Sequence, residues 1–266
     1  MRIFIIITLL LSIISCQKPT VNTLTVGVIA GPESDLLKTT AEIAAKLYGL
    51  HLKIVEFNDY TFPNIALDQK SIDVNVFQHL PYLLADSERH GYDFSVIGKT
   101  FLFPIELYSK KLRSLDQIPE HAVIAIPNDP SNEVRALLLL QQAGIIQLKK
   151  SFSYRFNDSS VSPLHEIIAN PKSIKIKEID APQLPRVLED VDAAVINTNY
   201  AKLAGLTLVH DAIAAEEKES PYAEVVVTNK AVQKKEQLAS LIKALHSKAV
   251  QEKAQTLFGA EAIAAW

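Results

Sequence analysis

Predicted strands and helices alternate along this chain in two separate runs, and this alternation constrains the fold more than any other feature. The first run begins with an apolar strand at 24–29, followed by a helix that ends at Gly49. The second run begins with an apolar strand at 123–126 and a helix at 131–143. Such alternation is typical of βαβ units, in which helices cover a largely parallel sheet. The sequence therefore predicts an α/β fold with two α/β lobes rather than one long sheet.

The remaining elements complete the two runs and return the chain to the first lobe. Further strands are predicted at 52–57, 72–76, 174–179 and 193–196, and further helices at 33–48, 63–69, 80–90, 163–168 and 184–189. A strand at 224–228 and one helical stretch at 234–257 follow, whereas 147–162 is predicted to be a surface loop. Lobe 1 is therefore expected to comprise 23–104 plus 227–266, and lobe 2 to comprise 105–226 with the hinge crossings. A ligand would bind in the cleft between them.

The first residues of the chain are typical of an exported, lipid-modified protein. An apolar run at 3–14 is broken only by Thr8 and Ser12, which is too short for a membrane span of about 20 residues but fits a signal peptide at 1–15. The segment Ile-Ile-Ser-Cys that ends at Cys16 resembles a lipobox, so Cys16 is the predicted lipidation site and 16–22 the lipidated tether. Since Cys16 is the only cysteine, no intramolecular disulfide is possible.

Charge and motif content exclude several classes of function. The net charge of −3 gives no basic surface for nucleic acid, and no nucleic-acid partner is expected. The seven histidines show no paired spacing such as H-x-x-x-H, so no metal site is predicted. Neither a G-x-S-x-G motif nor a glycine-rich phosphate loop occurs, so no catalytic residue and no cofactor are expected. The chain is therefore predicted not to be an enzyme.

An arginine near the start of the helix at 131–143 is a candidate anion-binding residue. Asp129 and Pro130 are typical of a helix N-cap and of the first helical position. Asn132 and Arg135 are three residues apart, so they share a helix face near the positive end of the helix dipole. Exposed amides and a guanidinium group can hold a carboxylate there. Spacing alone leaves open an exposed arginine on an ordinary helix.

Aromatic and amide side chains follow other predicted strands, where open α/β sheets place their binding sites. Tyr60 follows the second strand, and Phe77, His79 and Tyr82 follow the third. The three rings could form a box for an apolar or thioether side chain, because sulfur packs well on ring edges. Asn197 follows a strand of the second run and can donate to a carboxylate or accept from an ammonium group. Ordinary core, capping and turn roles are the alternatives.

Six segments carry a family resemblance that extends from Val26 to Trp266. They are VEFNDYTFPNIAL (55–67), DVNVFQHLPYL (73–83), YSKKLRSLDQIP (108–119), AIPNDPSNEVRALLLLQQAGIIQLK (125–149), EIDAPQLPRVLEDVDAAVINTNYA (178–201) and ESPYAEVVV (219–227). In these segments the chain resembles the methionine-binding lipoproteins of the NlpA family, the substrate-binding components of methionine ABC importers.

The resemblance implies a type II periplasmic binding protein fold, with two α/β lobes that are joined by a two-stranded hinge and close over the ligand. It also implies that Arg135 and Asn197 hold the backbone groups of an amino acid, with Asn132 nearby. The side-chain pocket would be lined by Tyr60, Phe77, His79 and Tyr82. L-methionine is then the expected ligand, and an importer permease and ATPase are the expected partners. The protein is expected in the cell envelope, lipid-anchored to a bacterial membrane and facing the periplasm or the exterior.

Departures from the family pattern keep other ligands open. Glu106 and Leu107 stand where relatives usually carry small or apolar residues, so the pocket would be smaller or more polar if either faced the cleft. The alternative ligands are a methionine-containing dipeptide or another amino acid. A surface lipoprotein that acts as an adhesin or antigen is a further alternative. Asn199 is interpreted as a turn-forming residue.

Overall fold

The structure, a computed structural model, describes residues 22–153 and 162–266. The predicted signal peptide, Cys16 and all but the last residue of the tether lie outside the described residues, as does 154–161 of the predicted loop. In the described part of the chain, no helix combines the length and the apolar character that a membrane span requires.

Strands and helices alternate along most of the chain. The strands are β1 (Thr23–Ile29), β2 (His51–Phe57), β3 (Val74–His79), β4 (Phe94–Lys99), β5 (Phe101–Leu102), β6 (Glu106–Tyr108), β7 (Val123–Pro127), β8 (Gln147–Leu148), β9 (Ile167–Ala169), β10 (Lys175–Ile179), β11 (Ala193–Ile196), β12 (Ala212–Ala215), β13 (Glu224–Asn229) and β14 (Ile263–Ala264). The helices are α1 (Pro32–Tyr48), α2 (Phe62–Asp68), α3 (Leu80–His90), α4 (Pro130–Gln142), α5 (Leu184–Val187), α6 (Thr198–Leu203), α7 (Lys235–Leu245) and α8 (Lys248–Phe258).

The first lobe is built on a five-stranded sheet in the order β2-β1-β3-β13-β4. Strand β1 lies parallel to β2 and β3, whereas β13 lies antiparallel to β3 and β4. Leu24 and Val26 of β1 are fully buried and belong to one core with Leu37 of α1 and Leu241 of α7. Burying an aliphatic side chain of this size contributes about 1.5–3 kcal/mol, so this core fixes the sheet that carries β3.

The second lobe is built on a five-stranded sheet in the order β10-β7-β11-β6-β12. Strand β7 lies parallel to β10 and β11, and β6 lies antiparallel to β11 and β12. Leu137 of α4 packs with Ile124 and Val195 in one core, whereas Leu184 of α5 packs with Ala194 in another. Strands that are covered on both faces are apolar along their length, which explains why β7 and β11 are runs of apolar residues. The predicted architecture of two α/β lobes is confirmed.

Two chain crossings connect the lobes. The first passes from β5 to β6, and the second passes from β12 to β13. Strand β13 pairs with β3 from Glu224 onward, so the return to the first sheet occurs before residue 227, where lobe 1 was expected to resume. In each sheet four of the five strands run in one direction, whereas β13 in the first and β6 in the second follow a crossing and run antiparallel to their neighbours.

Two predicted helices differ from the structure. The helix predicted at 163–168 is instead a 3-10 turn at Pro163–Glu166 followed by β9, which pairs with β8. The helical stretch predicted at 234–257 is divided into α7 and α8. Ser247 has an extended backbone there, and its hydroxyl accepts the Val250 N–H at 3.4 Å. A serine with this geometry is an N-cap, so a second helix starts at that point.

Candidate ligand-binding site

A cleft between the lobes encloses about 430 Å³ of space, counting the part that is open to solvent. All seven predicted ligand-binding residues line it: Tyr60, Phe77, His79 and Tyr82 from the first lobe, and Asn132, Arg135 and Asn197 from the second. Phe77 and His79 lie at the carboxyl end of β3 instead of after the strand predicted at 72–76. The carboxyl ends of parallel strands meet at one edge of a sheet, so residues at or after these ends converge there.

A β-bulge in β3 helps to aim side chains into the cleft. Val225 of β13 pairs with Gln78, whereas Val226 pairs with Val76, so Phe77 has no partner in the ladder. A bulge changes the direction in which neighbouring side chains point. Accordingly, Phe77, Gln78 and His79 all line the cleft, although strict alternation would send consecutive residues to opposite faces of the sheet.

His79 is both the N-cap of α3 and a wall of the cleft. Its Nδ1 accepts the backbone N–H of Tyr82 at 3.1 Å, so the proton of the neutral ring is on Nε2. That nitrogen lies 3.2 Å from Asn132 Oδ1 and donates to it across the lobes. Burial, followed by the nearby Arg135 guanidinium, lowers the pKa of His79 to about 3. The imidazole is therefore a neutral donor at physiological pH.

Three aromatic rings form a box at one end of the cleft. The ring centroids of Tyr60 and Phe77 are 6.0 Å apart, those of Tyr60 and Tyr82 are 6.0 Å apart, and those of Phe77 and Tyr82 are 5.9 Å apart. The Tyr82 hydroxyl donates to the Tyr60 carbonyl at 2.9 Å. These separations are typical of tilted and edge-to-face aromatic pairs, so the box is a fixed apolar surface.

Tyr60 also connects the two lobes. Its hydroxyl donates to Asn199 Oδ1 at 2.7 Å, and its ring centroid lies 5.1 Å from that of Tyr200 on α6. The loop that carries it is held by Asp59, whose carboxylate accepts the N–H groups of Thr61 and Phe62. The structure thus has the two lobes in contact across the aromatic box.

Two asparagines form the amide part of the site. The predicted N-cap is confirmed, since the Asp129 carboxylate accepts the Asn132 N–H at 3.0 Å. It also accepts from Asn132 Nδ2 at 3.1 and 2.9 Å. Asn132 Oδ1 accepts from Asn197 Nδ2 at 2.9 Å, in addition to His79. Asn197 Oδ1 is buried without a donor in the parts of the chain that the structure describes, which leaves it as an acceptor for a ligand.

Arg135 is buried, with 4% of its surface exposed, and its charge is already paired. Its Nε donates to Glu216 Oε1 at 3.0 Å, and Nη2 donates to Glu216 Oε2 at 2.5 Å and to the Phe103 carbonyl at 2.8 Å. The guanidinium carbon lies 4.5 Å from the centre of the Tyr222 ring. Burial alone would lower the pKa of Arg135, but Glu216 raises it above its usual value. The guanidinium is therefore charged and held in one orientation.

Several residues at this site were not predicted from the sequence. Glu33, Asn199, Tyr222 and Glu224 line the cleft, and Glu216 pairs with Arg135. Asn199 contributes to the cleft wall instead of only forming a turn, and its Nδ2 is buried without an acceptor in the described ranges. The only local feature of the sequence that could have indicated this role for Asn199 is its position two residues after Asn197. No periodicity marks the acidic residues, because each is brought in by a different element.

The two departures from the family pattern lie outside the cleft. Glu106 and Leu107 are fully buried in β6, and neither is among the residues that line the cavity. The Tyr108 hydroxyl donates to Glu106 Oε2 at 2.9 Å. Burial, together with the nearby Glu261, raises the pKa of Glu106 to about 8. Neither side chain reduces the volume of the cleft directly.

The chemistry of the cleft suits a small amphoteric molecule. A guanidinium can hold a carboxylate, the unpaired amide oxygen of Asn197 can accept from an ammonium group, and the aromatic box can enclose an apolar side chain. Within 22–153 and 162–266, no group of three or more histidine, cysteine or acidic residues could hold a metal ion.

The chain is similar in sequence and structure to proteins named as methionine-binding or as substrate-binding. The D-methionine-binding lipoprotein MetQ of Escherichia coli strain K12 is 41% identical over 247 residues, which cover 92% of this chain and 89% of that protein. A periplasmic substrate-binding protein of an ABC transporter from Coxiella burnetii is 49% identical, with a TM-score of 0.86 over 91% of this chain and 100% of the other. A nutrient-binding protein from Burkholderia cenocepacia, solved with methionine bound, is 44% identical, with a TM-score of 0.84 over 91% and 100% of the two chains.

The match to a protein family covers almost all of the described chain. The family model described as NlpA lipoprotein matches residues 24–266, and the two lobes share the fold of the substrate-binding proteins above. On this extent of similarity, the chain belongs to the NlpA lipoprotein family.

Proposed function

We propose that this protein is a membrane-tethered substrate-binding protein that captures methionine between its lobes and delivers it to an ABC importer. The observation that carries the proposal is the convergence of a buried guanidinium, an amide oxygen without a donor and an aromatic box on one cleft. Those three groups match the carboxylate, ammonium and thioether of methionine. The names of the relatives support the same ligand class.

The ligand carboxylate would bind at Arg135. Its hydrogen bonds within the described residues use Nε and Nη2, so the two N–H groups of Nη1 are left for the ligand. Asn199 Nδ2 offers a further donor in the same cleft. Charge-assisted hydrogen bonds of this kind contribute roughly 1.5–3 kcal/mol each, which is enough to decide between an amino acid and a neutral analogue.

The ligand side chain would lie among Tyr60, Phe77 and Tyr82. A thioether packs favourably at about 5 Å from an aromatic ring, by roughly 0.3–1.5 kcal/mol per contact. Binding would stabilise the closed arrangement in which Tyr60 contacts Asn199, because a ligand shifts the equilibrium toward the state that it contacts on both sides. We infer capture and release rather than catalysis from this arrangement.

The test is to identify the ligand of the purified, lipid-free protein. Mass spectrometry of the molecules released by denaturation should find methionine. Calorimetry of the stripped protein with L-methionine, D-methionine and Gly-Met should then rank the stereoisomers against the dipeptide. A protein that binds none of the three would contradict the proposal, and preference for Gly-Met would replace the amino acid by a dipeptide.

The tether is tested separately. Cys16→Ser in a bacterial host should move the protein from the membrane fraction to the soluble fraction of the cell envelope, because the lipid chains supply the anchoring energy at about 0.8 kcal/mol per buried methylene. Retention of the variant in the membrane fraction would contradict lipid anchoring at Cys16, without affecting the assignment of the ligand.

A further inference from the structure

Two acidic residues on the wall of the cleft have no role in the binding scheme above. Glu33 lies in the first turn of α1, and Glu224 is the first residue of β13. Both line the ligand cleft, and both also line a second, largely apolar cavity of about 330 Å³, counting the part that is open to solvent. The two carboxyl groups therefore stand between the site of the ligand and the interior of the first lobe.

Glu33 and Glu224 are neighbours in the wall of the cleft, and each carboxyl group affects the pKa of the other. Burial and the neighbouring Glu224 raise the pKa of Glu33 well above its usual value. Burial raises the pKa of Glu224 to about 7. Two carboxylates in such contact cannot both be ionised without a compensating positive charge. The pair consequently keeps a proton near neutral pH while the cleft is empty.

Among the described residues that line the cleft, no positively charged side chain is free to take the place of that proton. Arg135, the only basic side chain of fixed charge among the described residues of the cleft wall, lowers the pKa of Glu224 but is paired with Glu216. His79, which pairs with Glu224 in the sheet, is neutral because of its lowered pKa. The other polar groups that face the pair are the hydroxyls of Thr100 on the Glu224 side and, near Glu33, those of Tyr60 and Tyr200.

An oxygen of the pair also lacks a donor. Glu33 is 7% exposed, and its Oε2 is buried without a donor in the described residues. On the opposite lobe, Asn197 Oδ1 is also buried without a donor in the described residues, and Asn197 lines the same cleft. An ammonium group carries three N–H donors and a positive charge. Such a group would donate hydrogen bonds to the unpaired oxygens and would supply the missing positive charge.

We propose that Glu33 and Glu224 form the subsite for the ligand ammonium group, and that ligand binding expels the proton which the two carboxyl groups share. This inference rests on the proposed function, because it takes the ligand to be an amino acid. The ammonium of the zwitterion replaces the shared proton, both carboxyl groups become carboxylates, and the proton passes to the solvent. No covalent bond other than O–H is broken, and no other reactant is needed.

The exchange predicts a pH dependence of binding. The bound ammonium lowers the pKa of the pair, so the ionised pair binds more tightly than the protonated pair. Affinity should therefore rise as the pH increases from about 5 through the Glu224 pKa of about 7, by up to about tenfold per pH unit. Over the same range, up to one proton should be released for each molecule of methionine bound.

Calorimetry in buffers of different ionisation enthalpy measures that proton directly. With L-methionine near pH 6.5, the wild-type protein should release a substantial fraction of one proton, and Glu224→Gln should release close to none. The variant should also bind methionine about tenfold to a hundredfold more weakly near pH 7.5, because a charge-assisted contact is lost. Glu33→Gln, made as a second variant, should show the same weakening of binding if Glu224→Gln does not fold, and the double variant Glu33→Gln/Glu224→Gln should release no proton.

Glu133→Gln is the matched control. Burial raises the pKa of Glu133 to about 7 as well, but the residue does not line the cleft. This variant should keep the proton release and the affinity of the wild-type protein. If its release fell as far as that of Glu224→Gln, the proton would have a source other than the carboxyl pair, and the inference would be overturned.

A ligand analogue separates this inference from the proposed function. 4-(Methylthio)butanoate keeps the thioether and carboxylate of methionine but lacks the amine, so it should bind weakly and release no proton. If methionine binds without proton release, the carboxyl pair is not the ammonium subsite and the proposed function stands. If methionine does not bind at any pH, the proposed function and this inference both fail.

Discussion

Arg135, which lines the ligand cleft, forms a two-point ion pair with Glu216 behind it, with Nε to Oε1 at 3.0 Å and Nη2 to Oε2 at 2.5 Å. The guanidinium that the sequence indicates as an anion-binding group is thus already bound to an anion from its own lobe. Glu216 is in turn held by the Ser220 hydroxyl at 3.0 Å. This pairing orients Arg135 and lowers the net positive charge that a ligand carboxylate meets.

Replacing Arg135 by alanine is expected to weaken methionine binding about ten- to a hundredfold, since a charge-assisted contact contributes roughly 1.5–3 kcal/mol. Calorimetry measures the change in Kd. Arg113→Ala in the same lobe is the control, because Arg113 is exposed and does not line the cleft. An unchanged Kd for the Arg135 variant would remove this residue from the site.

Replacing Glu216 by glutamine should destabilise the empty protein, because Arg135 then keeps a buried charge without its counterion. A loss of roughly 3–5 kcal/mol in the free energy of unfolding is expected when a buried ion pair loses one partner. The carboxylate of bound methionine supplies the missing negative charge, so the rise in melting temperature on adding methionine should be larger than in the wild-type protein. Differential scanning fluorimetry with and without ligand measures both effects.

Glu217→Gln is the control for that experiment, since Glu217 is the exposed neighbour of Glu216. It should leave both the stability and the ligand-induced shift unchanged. A ligand-induced shift in Glu216→Gln no larger than in the wild-type protein would mean that the ligand carboxylate does not contact Arg135.

Replacing Tyr60 by phenylalanine removes the hydroxyl that joins the lobes through Asn199. The aromatic box remains, but the closed form loses a hydrogen bond that contributes roughly 0.5–1.5 kcal/mol. Methionine binding should weaken about two- to tenfold in calorimetry, mainly through faster release. Tyr48→Phe, on α1 and outside the cleft, is the control. Equal affinities for the two variants would show that the contact does not support closure.

Replacing Glu106 by glutamine should make the protein less sensitive to alkaline pH. The folded-state pKa of about 8 lies above the usual value for glutamate, so the folded state keeps a proton that the unfolded state has lost. Stability from this group is present below pH 4–5 and is lost as the pH rises through about 8. Urea unfolding at pH 5 and pH 8.5 should therefore show a smaller loss for Glu106→Gln, by roughly 4 kcal/mol at most.

Glu42→Gln, an exposed change on α1, provides the reference for that measurement. Its loss of stability between the two pH values should equal that of the wild-type protein. If Glu106→Gln lost as much stability as this control, Glu106 would be ionised in the folded state, and its burial would require another explanation.

Local features of the sequence were sufficient to predict most of the framework. Val123 to Pro127 form a buried strand, and the Asp129 cap with Pro130 starts α4 as the residue types require. The single helix predicted at 234–257 was wrong because a serine can either continue a helix or cap a new one. The apolar residues Ile167 and Ile168 are compatible with a helix or a strand. They form a strand because β9 pairs with β8.

The sequence by itself determined which side chains follow the strands, and therefore which residues meet at the cleft. The partners of those side chains were decided only by the tertiary structure. Glu216 is 81 residues from Arg135, Asn197 is 65 residues from Asn132, and Glu224 reaches Glu33 from the far end of the chain. Secondary structure repeats over a few residues, so its pattern reports which face a residue takes. The pattern does not show which distant part of the chain will pack against that residue. In this protein, that packing determines the charge of the binding site.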